Sequence, residues 1–92
     1  MLDDVRDALR VSGNDLDGEI QDLIDAAKAD LQLSGVHPSK IIDIDPLIKR
    51  AVVVYCKAHF GWAESDADRF ERSYAMLKTH LTLSAEYTEV TL

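Results

Sequence analysis

The groups able to do chemistry are few. Cys56 and His59 stand three positions apart, a spacing that puts both side chains on one helix face, and His80 could complete a zinc-binding set. A zinc site of that kind asks for more, because neither a second cysteine nor a compact ligand motif accompanies them. The plainer account makes Cys56 a small buried hydrophobe and the histidines hydrogen-bonded boundary residues. No orienting Asn or Asp marks a Cys–His nucleophile, and no local signature marks a Ser–His–Asp triad. Gly13-Asn14-Asp15-Leu16-Asp17-Gly18 approaches a calcium loop, but Gly13 stands where a carboxylate is needed and Ile24 where a bidentate glutamate is. Gly13, Gly18, Gly35 and Gly61 are too scattered to cradle a phosphate. The pairs Asp3/Asp7 and Asp22/Asp25 could do acid–base work or hold magnesium; at helical spacing they form an ordinary solvated acidic face. No catalytic, cofactor or metal site is expected, and no enzyme.

The elements around these residues read as helices. Leu2, Val5 and Leu9 recur at helical spacing behind Asp3 and Asp4, which suit a helix N-terminus, until Ser12-Gly13-Asn14 breaks the run. Asn14 or Asp15 should cap a second helix whose Leu16, Ile20, Leu23, Ile24, Ala27 and Leu31 share one face, closed by Ser34-Gly35. Asp45-Pro46 is a strong start for a third helix over 46–60, stopped by Gly61. Its run Ala51-Val52-Val53-Val54-Tyr55 is apolar on every side, which marks a central helix. Ser65 or Asp66 should cap a fourth, carrying Ala67, Phe70, Tyr74, Leu77 and Leu81 on one face and fading near Ser84. Phe60, Trp62, Phe70 and Tyr74, at the corner between these last two helices, belong to a core sooner than to a ligand cage.

Two segments do not fit a closed bundle. The connector 36–44 carries Val36, Ile41, Ile42 and Ile44, more apolar surface than a solvated loop has use for. With Val53 and Met76 they are the expected self-association surface. In the tail, Thr88, Val90 and Leu92 alternate with Tyr87, Glu89 and Thr91, the period and the β-branched content of a strand. This points either to a frayed tail or to a mobile arm over 85–92 that adds to a partner's sheet through Tyr87, Val90 and Leu92. The expected fold is therefore all-α: a small four-helix domain over 1–84 with a short extended C-terminal arm.

Composition narrows the function. The chain has 92 residues, 47% of them hydrophobic and 29% charged, and a net charge of −7. One domain of this size has a thin core, so a partner surface would help it. The charge argues against a free-standing nucleic-acid binder, and a helix-turn-helix regulator would need a basic recognition helix where helix three turns apolar after Lys49-Arg50. The first 45 residues hold eleven acids against four basic residues and carry the whole excess. One cysteine suits a reducing compartment, Met1-Leu2-Asp3-Asp4 is no signal-peptide opening, and the apolar run 51–56 is too short for a bilayer. A soluble domain, cytosolic or particle-associated, is expected.

The order of these pieces resembles a known family. Ala8-Leu9-Arg10-Val11 ends a short helix and the polar turn Asn14-Asp15-Leu16-Asp17 follows. A helix over 19–33 is centred on Asp25-Ala26-Ala27; Gly35 and Asp45-Pro46-Leu47-Ile48-Lys49-Arg50-Ala51-Val52 come next. Over residues 1–84 this is similar to the head–tail connector, or head-completion and DNA-packaging adaptor, proteins of long-tailed bacteriophages. The resemblance lies in helix lengths and punctuation and brings no active residue with it. It implies a structural subunit, without cofactor, at the head–tail junction of a virion and in the host cytoplasm during assembly. Its partners would be further copies in a homo-oligomeric ring (dodecameric on the portal), the portal protein and a downstream tail-completion protein. Double-stranded DNA would pass through without sequence-specific binding, repelled by carboxylates such as Asp3, Asp7, Asp22 and Asp25. The rival class is an acidic helical binding module, an inhibitor or DNA mimic acting as monomer or dimer.

Overall fold

Helix α1, Leu2–Leu9, opens with Asp3 and Asp4 in its first turn and buries Val5 and Leu9. A left-handed Arg10 (φ 59°, ψ 37°) ends it, its N–H returning to the carbonyls of the last turn. The structure, a computed structural model, describes residues 1–61 and 64–89. Helix α2, Asp17–Ser34, buries the stripe Ile20, Ile24, Ala27 and Leu31, and Gly35 (φ 120°) turns the chain out of it in a conformation that side chains resist. Its N-cap position is Leu16, two residues beyond Asn14, and no side chain caps it. Arg6 supplies the anchor instead, donating from Nε and Nη2 to the Asp17 carboxylate at 2.8–3.0 Å. That fork ties α1 to the first turn of α2.

Residues 36–45 cross the domain as a connector with a 3₁₀ turn at Pro38–Lys40. Helix α3, Pro46–His59, then starts as its sequence requires. Asp45 Oδ1 accepts from the N–H groups of Leu47 (2.9 Å) and Ile48 (3.1 Å), and Pro46 occupies a position where no donor is missed. Ile48, Ala51, Val52, Val54, Cys56 and Ala58 are all buried, because α3 packs against α1, α2 and α4 at once. The three valines are helical: the cap and the surrounding helices override their strand preference. Helix α4, Glu64–Leu83, lies along α3; it begins just ahead of Ser65 and Asp66, the two caps read from the sequence. Trp62 lies outside the described residues.

The tail departs from the sequence reading. Ala85–Thr88 form a helical turn, α5, packed beside the end of α4. Tyr87 is only 7% exposed and belongs to the core cluster. Thr88 Oγ1 donates to the Ser84 carbonyl (3.0 Å), and the His37 N–H donates to the Tyr87 carbonyl (2.8 Å). The alternation that suggested a strand is overruled by one buried aromatic ring and the connector's free N–H. Val90 and Leu92 lie outside the described residues. The fold is all-α, with no strand among the described residues.

Candidate functional site

The groups singled out for their chemistry do not converge. Cys56 is fully buried, and burial pushes its thiol up to about 12, so it is neither thiolate nor nucleophile at neutral pH. His59 lies on the surface, its ring 4.3 Å from that of Tyr55 and its Nε2 3.9 Å from Glu71. His80 is exposed one helix away. Among the described residues no group of three or more His, Cys, Asp or Glu is placed to hold a metal ion. Asp3, Asp7, Asp22 and Asp25 are all exposed, on the outer sides of α1 and α2. Among the described residues no helix is long and apolar enough to cross a membrane.

One polar cluster is built with care, and it is a clamp. The Tyr74 hydroxyl and Lys78 Nζ (3.1 Å) both donate to Asp30 Oδ2, joining α4 to α2 over the edge of α3. Burial and the Asp30 hydrogen bond push the Tyr74 phenol up, so it stays protonated and donating. Partial burial raises the Asp30 carboxyl, but the bonds from Tyr74 and Lys78 outweigh that and hold it below its ordinary range. A hydrogen bond from Lys28 (2.7 Å) holds Asp43 low as well, fixing the connector to α2. Carboxylates depressed by folding contribute stability above their unfolded value near 3.8, and lose it as pH falls through the lower folded values. The thermal midpoint should therefore be flat from pH 7 to about 5 and drop below about pH 4. Removing Lys78 and Lys28 together should flatten that acid limb, as thermal melts across the range would show.

The feature left unexplained by folding is apolar. Of the connector residues expected at an interface, Val36 is 1% exposed and is consumed by its own core, and Ile41 is half-buried against it. Tyr87 is withdrawn from the surface in the same way. Ile42 stays partly open, Ile44 is 84% exposed and Met76 on α4 is 64% exposed, while Val53 is half-buried. Sequence reasoning missed Leu33 (87% exposed), Leu83 (81%) and Leu47. The signal was there: Leu33 and Leu83 each come two residues after the last buried leucine of their helix, Leu31 and Leu81. Two residues turn a helix through about 200°, just past a half-circle, so both must face outward.

Some of this surface is shaped. A depression of about 360 Å³ opens between α1 and the start of α3, lined by Asp4, Ile44, Pro46, Lys49, Arg50 and Val53. Its floor is aliphatic and its rim cationic: Lys49 reaches Asp4 at 3.8 Å, and Arg50 is exposed. Its charged groups, Asp4, Lys49 and Arg50, stand around an aliphatic floor. What it can do is bind.

No curated protein and no solved structure matches this chain. The model of a family described as phage connector protein matches residues 1–88. The chain, a small helical domain with apolar side chains turned outward, thus belongs to the phage connector proteins, a structural family whose members are virion components that interact with other head and tail proteins.

Proposed function

We propose that the chain is the repeating subunit of a ring between portal and tail that extends the DNA channel and docks the next tail component. The observation that carries this is the outward apolar surface on a domain whose core is already complete. Fully buried Val5, Ile20, Ile24, Leu31, Ile48 and Val52 close the interior, so Ile44, Leu33 and Leu83, all more than 80% exposed, add little to the isolated fold. Each exposed aliphatic side chain forgoes about 1.5–3 kcal/mol of burial, which a neighbouring subunit can recover. The solvated carboxylates support the same account. Where Asp3 and Asp7 approach DNA they repel phosphate, and a duplex that must slide is better repelled than held. The test is the mass of the chain in solution, alone and with its cognate portal. A ring-sized species, free or formed on the portal, is expected. A strict monomer in both conditions would leave the acidic binding module as the better account.

A further inference from the structure

We propose that the cleft between α1 and α3 receives the outward face of α2 from a second copy of the chain. The inference rests on the ring proposed above and names the two surfaces that would close it. One surface is the aliphatic floor of Ile44, Pro46 and Val53 with Arg50 on its rim. Among the described residues, Arg50 has no ion-pair partner in its own chain, whereas its neighbour Lys49 has Asp4.

The other surface follows from the helical period. Asp22, Ala26, Ala29 and Leu33 form one stripe of α2, and all four are exposed. The buried stripe Ile20, Ile24, Ala27 and Leu31 lies on the other side of the same helix. Two alanines let a second chain approach closely, Leu33 offers an aliphatic knob, and Asp22 brings the charge that Arg50 lacks. Asp25, by contrast, already accepts from Gln21 Nε2 at 2.9 Å.

Charge also decides how two copies meet. The α2 stripe against itself would oppose Asp22 to Asp22, and the cleft against itself would oppose Arg50 to Arg50. Stripe on cleft sets Asp22 against Arg50, while the cleft's own carboxylate, Asp4, is already engaged by Lys49. The stripe lies opposite the buried face of α2, whereas the cleft is built from α1, the connector and α3, so the two surfaces share no residue. A contact between two different surfaces is heterologous and repeats head to tail, and it gives the proposed ring where the rotation from copy to copy closes.

The charge reversals use exposed positions whose exchange leaves the fold intact, checked by unchanged thermal melts of dilute protein. R50E and D22R, each alone, should lower the self-association constant by at least about tenfold, and the chain carrying both should recover to within about threefold of the original. In parallel, V53C protein mixed with A26C protein should form a mixed disulfide under mild oxidation; Cys56, fully buried, does not compete. If the chain assembles but neither reversal weakens it, or the double reversal fails to recover, the surfaces are wrongly assigned and the ring stands. If the original chain assembles neither alone nor on a portal, the ring and its surfaces fall together.

Discussion

Replacing Ile24 by Ala should cost about 3 kcal/mol and lower the thermal midpoint by roughly 10–20 °C in a domain of this length. Ile24 is fully buried, in the middle of the α2 stripe that faces α3. Removing three carbons there forfeits their transfer energy and leaves a cavity, because α1, α3 and α4 hold the walls apart and limit collapse. Total stability for a domain this small is about 5–14 kcal/mol, so the loss is a large fraction of it. The control is Leu33→Ala, on the same helix and 87% exposed. It should change stability by less than about 0.5 kcal/mol while weakening assembly. Urea melts of dilute protein, with sedimentation of concentrated protein, separate the two effects. Equal stability losses at both positions would show that the interior and the outward surface have been confused.

The second large effect belongs to Asp45. Its carboxylate caps α3 through the N–H groups of Leu47 and Ile48 and also accepts from the Tyr87 hydroxyl at 3.1 Å. One side chain thus starts the central helix and fastens the last helical turn. Asp45→Ala should cost about 2–3 kcal/mol, roughly 1 from the lost cap and the rest from the charge-assisted bond. Tyr87→Phe, which spares the cap, should cost about 1 kcal/mol, and Asp45→Asn, still a competent cap, should fall between the two. Amide exchange tells the components apart. Tyr87→Phe should speed exchange of the His37 amide, which donates to the Tyr87 carbonyl, and leave Leu47 and Ile48 protected. Asp45→Ala should speed all three. If Asp45→Ala costs less than about 0.5 kcal/mol, the connector and tail are held by packing alone.

How much of this was legible in the residues follows from how local each determinant is. The stripes and stops of α2 and α3 lie within a few positions of the residues they govern, and Asp45-Pro46 places the start of α3 to the residue. The start of α2, by contrast, is tied by Arg6, eleven positions from Asp17, and not by Asn14 or Asp15. The tail was misread for the opposite reason. Tyr87-Thr88-Glu89 has strand-like alternation, but its conformation is set by Asp45, 42 positions away, and by His37. A local pattern cannot see such partners, and tertiary contact outweighs β propensity when the two disagree. Val36 was misjudged likewise: an apolar connector residue is as ready to pack under its own domain as under a neighbour, and only the tertiary packing, which puts Val36 in the core cluster, decides. The cleft was invisible because it joins Asp4 of α1 to residues 44–53. Leu33 and Leu83 were the readable part of the surface, since each breaks the period of its own helix.

The most direct test of a connector is its mass on a portal. Purified chain should be mixed with its cognate portal ring, and the products weighed by sedimentation or mass photometry. The account predicts a stable, ring-sized complex with about one chain per portal subunit, built cooperatively so that partly filled portals are scarce. Free chain and bare portal sedimenting separately, at concentrations well above those of assembly, would contradict it.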